Sequence, residues 1–263
     1  SQSHLKRFLN PNPRSLNRKR NNEDYYYYKE KIYFSKGKLL DLLLADEEIN
    51  DYFYIEADDY KHPTDVVESI AQQVHDEFQE YGKISDERVD SIRVKHNYQS
   101  RWKEDTVKNW IAGTLWPLVS RKQDIGDKTV LNQTEFNTIA TMANAILDGV
   151  YAKPIMEEYE GEFQVEIYCD GLKALIDYLQ IDHKAKTFRV IDFKSTSDYL
   201  EVFPKSIMKF RYDIQLSFYT HLVQCKYPDY KALDPVLLVV STREPEFAEP
   251  FTLSKQIVQN AQK

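Results

Sequence analysis

A chain of 263 residues with 42% hydrophobic and 29% charged side chains has an ordinary globular balance and can bury a sizeable core. It holds no run of about eighteen apolar residues, which excludes a membrane-spanning helix, and no signal-peptide pattern. The net charge of −7 argues against a uniformly basic nucleic-acid binder, but the charge is uneven. Residues 1–38 hold ten basic side chains against three acidic ones, a net +7, so the remainder carries −14. Local charge, not the total, sets attraction to phosphate. The segment 1–34 therefore reads as a basic arm, either solvated or in contact with a polyanion.

Along the arm, Asn10-Pro11-Asn12-Pro13 predicts a turn or extended piece, and Tyr25–Tyr28 either an extended segment or a helix start. Ser35 can cap a helix through Lys38–Leu44. Pro63-Thr64-Asp65 opens a helix with Val66, Val67, Ile70, Val74 and Phe78 in a stripe. A charged helix is expected over about 85–97. Apolar residues at helical spacing mark 103–119 (Val107, Trp110, Ile111, Leu115, Leu118) and 133–149 (Phe136, Ile139, Ala140, Ala143, Ile146, Leu147). After about residue 160 the period changes to two. Phe163, Val165, Ile167 and Cys169 alternate with polar neighbours, Asp170-Gly171 signals a hairpin, and the return strand is Leu172–Ile181. His183–Lys186 makes a second turn into a strand Phe188–Phe193. A long helix over about 206–225 and an apolar strand Val236–Val240 follow. Cys169 and Cys225 are far apart, fit no metal-ligand spacing, and read as small buried hydrophobes of a reducing compartment. The chain opens on Ser1 without a Met and reads as a fragment or processed product.

Chemistry concentrates on two of these strands. Asp192 and Lys194 are two apart, so they project to one face. A hairpin can bring Asp177 beside them. Two carboxylates at one place repel unless a cation sits between them. Magnesium suits such oxygen ligands, and can acidify a bound water and neutralise charge on a phosphate. The lysine can orient or deprotonate that water, or stabilise the crowded phosphate.

Ile176-Asp177 followed by Ile191-Asp192-Phe193-Lys194-Ser195-Thr196 resembles the PD-(D/E)XK nuclease signature, closest to its RecB-like and RecE-like exonuclease branch. Ile176 stands where the signature has proline, and Ser195 where this branch has threonine; neither position supplies a metal ligand. Gln215-Leu216-Ser217-Phe218-Tyr219 resembles the branch's Gln-x-x-x-Tyr element, with Arg211 expected one turn earlier on the same helical face. Gly37 and Asp41 stand where RecE-like enzymes carry Gly and then His, so a carboxylate would replace imidazole; His75 is the other early histidine. The branch adds an acid before the first catalytic Asp, and Glu162 or Glu166 fits. A turn centred on Cys169-Asp170 sets Asp177 against residue 162 or 163 and favours Glu162. Glu135 and the Glu157-Glu158 pair read as helix-surface charges. Leu5–Pro11 is also similar to the opening of RecE-like domains.

The resemblance implies an α/β (α+β) restriction-endonuclease-like core: a small mixed central sheet flanked by helices, with a helical N-terminal region. Residues 35–263 would form one domain, mainly helical over 35–159, with the catalytic sheet and helix over 160–241. It implies a magnesium-dependent DNA exonuclease of phage recombination or DNA processing, cytoplasmic, in a bacterial host or a phage-infected cell. Manganese would substitute, and one or two ions would bind. Asp177, Asp192 and Glu162, with Asp41, would hold the metal, and Lys194 would act on the water or the transition state. Gln215, Tyr219, Arg211, Ser195 and Thr196 would hold DNA. Linear duplex ends would be the substrate and a single-strand annealing protein a partner. Two other readings use the same fold: a silent DNA- or protein-binding module, and a structure-specific endonuclease.

Overall fold

The computed structural model describes residues 32–254. The Leu5–Pro11 segment, the Tyr25–Tyr28 run and most of the basic arm lie outside the described residues. The chain divides into two compact units. One is Asn50–Phe136; the other takes the chain up to Ile49 and resumes at Asn137. Among the described residues no helix is long and apolar enough to cross a membrane.

The described chain opens on α1 (Ile32–Leu44), which belongs to the discontinuous unit. Ser35, expected at the start of this helix, lies three residues inside its bounds. Leu39, Leu40, Leu42 and Leu44 are buried.

The Asn50–Phe136 unit is mostly helical. It contains β1 (Phe53–Glu56), α2 (Asp65–Tyr81), α3 (Asp86–Lys95), α4 (Glu104–Trp110), α5 (Trp116–Ile125) and β2 (Thr129–Asn132). The α2 stripe Val67, Ile70, Ala71 and Val74 packs with Val89 and Ile92 of α3 and with Val107, Trp110, Leu115 and Val119. Between α4 and α5 the helix widens to a π turn at Ile111–Leu115. Pro117 has no N–H to give to the carbonyl of Gly113, which favours the wider ring. The parallel pair β1–β2 was not legible in the sequence, each strand being four residues long. The next helix, α6 (Gln133–Asp148), crosses from one unit into the other. Its start is capped reciprocally: Glu135 N–H donates to Asn132 Oδ1 at 2.7 Å, and Asn132 N–H donates to Glu135 Oε2 at 3.4 Å. Glu135 is thus a cap, not merely a surface charge.

The discontinuous unit is built on a mixed sheet. After the short α7 (Lys153–Met156) come β3 (Gly161–Cys169), β4 (Leu172–Asp182), β5 (Thr187–Thr196), α8 (Pro204–Phe210), α9 (Tyr212–Lys226), β6 (Lys231–Ala232), β7 (Val236–Ser241) and β8 (Ala248–Thr252). The order is β3-β4-β5-β7-β8, with β6 also on β5; β5–β7 and β5–β6 are parallel and the other pairs antiparallel. Asp170 and Gly171 both have positive φ, 52° and 76°, as a two-residue hairpin needs. At the next turn Asp182 Oδ1 accepts from the N–H groups of Lys184 and Ala185. Every residue of β7 is buried, which explains its unbroken apolar run. Leu216, Tyr219, Leu222 and Val223 of α9 join Ile176, Leu179, Val190 and Leu237 of the sheet in one core. β8 escaped prediction because its Pro250 disfavours a strand; β8 is an edge, where the missing donor is tolerated.

The single helix expected over about 206–225 is two. Arg211 breaks it in the left-handed conformation, φ 57° and ψ 45°. No glycine or proline announces this break.

Candidate active site

Asp192 sits in the middle of β5, between β4 and β7, and has no solvent exposure. Lys194, two residues on, forms an ion pair with Asp192 Oδ2. Its ammonium also donates to the Phe193 carbonyl at 3.2 Å and stands 5.2 Å from the centre of the Tyr212 ring. The other oxygen, Asp192 Oδ1, accepts from Gln215 Nε2 at 2.5 Å, and the same nitrogen lies 3.1 Å from the Tyr219 hydroxyl. Gln215 and Tyr219 are four apart on α9 and both buried. They therefore brace Asp192 from the helix side.

Asp177 reaches the same place through an irregularity. The β4–β5 ladder pairs Tyr178 with Ile191, and one step further Asp177 comes level with Asp192. There the backbone pairing stops, and Asp177 Oδ2 accepts from Phe193 N–H at 2.9 Å. Across β3–β4 the register leaves Gln164 opposite Asp177. Gln164 has φ 52°, a left-handed conformation inside a strand. The period of two slips at this point in both strands. Val165 packs on the core beneath α9, whereas Phe163 packs on Tyr178 and Phe193. On β4, Ala174 and Ile176 belong to that core, and the next member is Leu179.

Asp41 comes from α1. Burial raises its carboxyl to about 6, against the pull of Lys194 and with the push of Asp192. Burial also raises Asp177 well above the usual carboxylate range, helped by Asp192 and Asp41 and opposed by Lys194 and the Phe193 N–H. Burial pulls Lys194 down, but Asp192 and Asp177 outweigh it and hold the ammonium above its ordinary value. Burial and the Asp192 charge raise Tyr219 as well.

The structure thus gathers Asp41, Asp177, Asp192, Lys194, Gln215 and Tyr219. It does not gather every predicted residue. The hairpin turn centres one residue later than expected, on Asp170-Gly171, so Glu162 pairs with Leu179 and is exposed. Gln164, not Glu162, stands opposite Asp177. Glu166 is a surface partner of Lys173, at 2.5 Å, and accepts from the Tyr168 hydroxyl. His75 belongs to the Asn50–Phe136 unit and lies 3.4 Å from Asp76. Arg211 is not a turn earlier on the α9 face: it precedes the helix and forks onto Asp213 at 3.1 and 3.2 Å. Ser195 is exposed near the end of β5, and Thr196 Oγ1 accepts from Asp198 N–H. Two residues went unnoticed in the sequence. Tyr212 lies under Lys194, and Arg243 donates to the Ser197 carbonyl at 2.7 Å, just past the ends of β5 and β7. Neither carries a motif signal.

Three carboxylates face one ammonium in a desolvated patch. When all are ionised, two negative charges stay uncompensated, and the raised Asp41 and Asp177 carboxyls express that repulsion. The donors are all oxygens. That is the chemistry a hard divalent cation takes, and an ion drawing the acids together would relieve the repulsion that protons now relieve, although the oxygens of Asp41, Asp177 and Asp192 do not all lie within 4.8 Å of one another.

The sequence matches the PD-(D/E)XK nuclease superfamily over residues 51–262. Among solved structures, the chain is similar to a presumed exonuclease from Eubacterium rectale at 15% identity, covering 77% of this chain and 82% of that one, with a TM-score of 0.36. It is similar to the protein SSO0001 at 16% identity, covering 74% and 82%, with a TM-score of 0.23. No curated protein matches. With the family match running over most of the chain, and with a mixed sheet carrying Asp177 and Asp192-Phe193-Lys194 on adjacent strands, the chain belongs to the PD-(D/E)XK nuclease superfamily.

Proposed function

We propose that this nuclease is a magnesium-dependent deoxyribonuclease that hydrolyses phosphodiester bonds from the ends of linear duplex DNA. The observation that carries the reading is the convergence of Asp41, Asp177 and Asp192 on Lys194, three acids that burial and mutual repulsion leave short of positive charge. Asp177 and Asp192 would hold the ion, with Asp41 as a third ligand; manganese would serve as well. When bound, the ion would acidify a water and neutralise charge on the phosphate.

The protein's own groups define the remaining roles. Lys194 stays cationic because its two acidic neighbours outweigh its burial. Its part is to orient or help deprotonate the attacking water, or to stabilise charge on the phosphate. Gln215 fixes Asp192 through Oδ1, leaving Oδ2 turned to Lys194, and Tyr219 steadies Gln215. Both are positioning residues, since they are too buried to hold DNA themselves. Ser195 and Arg243, at the ends of the parallel strands, would contact the phosphate. The likeness of the Asp192–Thr196 and Gln215–Tyr219 elements to the RecB-like and RecE-like branch supports attack from ends and a single-strand annealing partner.

The test is digestion of end-labelled linear duplex with magnesium, with chelator, and with the Asp192→Ala variant. Wild type with magnesium should release label from linear DNA and spare closed circles. Equal digestion by Asp192→Ala would overturn the site, and cutting of closed circles would overturn the exonuclease reading.

A further inference from the structure

At the far end of α9, the structure assembles a second cluster of ligand-type side chains, unlike the first in chemistry. The Sγ atoms of Cys169 and Cys225 and a carboxylate oxygen of Asp170 all lie within 4.8 Å of one another. His221 Nε2 stands 3.6 Å from Cys225 Sγ, at the margin of that group of three and not within 4.8 Å of all its members. Cys169 ends β3 and Asp170 begins the hairpin turn, while His221 and Cys225 are four apart on one face of α9. Both thiols are free and half-buried.

We propose that Cys169, Cys225, His221 and Asp170 form a structural zinc site. The spacing supports it. For a tetrahedral ion with bonds of about 2.3 Å to sulfur and about 2.0–2.1 Å to nitrogen, the sulfur–nitrogen edge is about 3.6 Å. The His221–Cys225 pair already has that separation. Two thiolates and an imidazole select zinc over magnesium, whereas the all-oxygen site around Asp177 prefers the harder ion, so the two sites would fill independently. Sequence spacing hid this group because its halves come from a hairpin and a distant helix.

The position suggests what the ion would do. Cys225 lies ten residues beyond Gln215 on the same helix, roughly 15 Å along its axis. Cys169 closes the hairpin whose return strand carries Asp177. Zinc here would fasten α9 to the β3–β4 hairpin and so hold the helix that braces Asp192 against the strand that supplies Asp177.

The experiment uses the full chain, stripped with chelator and titrated with cobalt(II) and then zinc. Wild type should take up one cobalt with a thiolate-to-cobalt charge-transfer band, which one equivalent of zinc abolishes. Zinc should remain bound in excess magnesium. Cys225→Ser should lose the band. His221→Gln, at an exposed position that tolerates the change, should weaken zinc binding at least tenfold. Asp170→Asn keeps a residue that accepts positive φ, and should weaken binding without unfolding the turn. Asp192→Asn should leave zinc content unchanged. The proposal fails if folded wild type shows no thiolate–cobalt band, if Cys225→Ser and His221→Gln bind zinc as wild type does, or if protein prepared without reductant and then denatured in chelator shows no titratable thiols, since the pair would then be a disulfide.

Discussion

Replacing Asp41 by Asn tests the electrostatic account of the site without requiring catalysis. The folded carboxyl is raised from 3.8 to about 6, chiefly by burial. The native state therefore binds this proton more tightly than the unfolded chain does. That contribution is fully present below about pH 4 and is lost as pH rises through about 6. At one pKa unit per 1.36 kcal/mol, the ionised carboxylate costs the metal-free protein about 3 kcal/mol at most above that window. Asp41→Asn should thus melt several degrees above wild type at pH 8 in chelator, given roughly 2–4 °C per kcal/mol for domains of this size. The gain should nearly vanish at about pH 3, where Asp41 is mostly protonated in both states. Magnesium at pH 8 should raise the wild-type midpoint more than that of the variant, because only wild type has the repulsion to relieve. The assay is a thermal melt followed by circular dichroism, at the two pH values, with and without magnesium. If Asp41→Asn is destabilising at pH 8 in chelator, then Asp41 is there mainly as a partner of Lys194, and the account of crowded charge is wrong.

Two other outcomes follow from the same geometry. Lys194→Met strands the fully buried Asp192 without its ammonium and should cost about 3–5 kcal/mol in urea denaturation, with loss of cutting. The double variant Asp192→Asn with Lys194→Met should regain most of that stability and none of the activity; if it regains nothing, the pair is not the source of the loss. Gln164 holds φ 52°, which a β-branched side chain resists, so Gln164→Val should cost about 1–2 kcal/mol while Gln164→Asn is nearly neutral. Equal denaturation midpoints for the two would mean that the left-handed turn opposite Asp177 does not persist in solution.

Much of the sheet was legible because its strands follow local rules. Asp170-Gly171 demands positive φ and delivers a hairpin, and the apolar run of β7 follows from burial on both faces. The helical stripes Val67–Val74 and Ile139–Ile146 appear where their spacing put them. The elements that escaped depend on tertiary context. β1 and β2 have meaning only as a pair, and β8 tolerates Pro250 only because it is an edge. Arg211 breaks a helix with no glycine to mark it, its guanidinium engaging the Asp213 carboxylate in the first turn of α9.

The site divides along the same line. Asp192 and Lys194 share a strand, so a period of two suffices to put them together. Asp177 needed the hairpin, and its final placement needed more than alternation. Plain alternation would keep Phe163 on the same side as Val165 and Ile167, yet the chain slips phase at Gln164 and Asp177. That slip ends the ladder beside Asp192 and frees Asp177 to accept from Phe193 N–H. A regular ladder would have spent that N–H on a strand carbonyl and left the carboxylate without its anchor. Glu162 was set opposite Asp177 for a separate reason: counting back from a turn at Cys169-Asp170, where the hairpin turns at Asp170-Gly171, puts Glu162 in the place that Gln164 holds. Strand motifs survive such irregularities because their members travel together. Contributions from crossing elements do not: Asp41 arrives on α1, Gln215 on α9, and Cys169 and Cys225 on two elements at once. For those residues the informative quantity is the charge, proton or ion that each must share with its neighbours, and only the folded chain defines who the neighbours are.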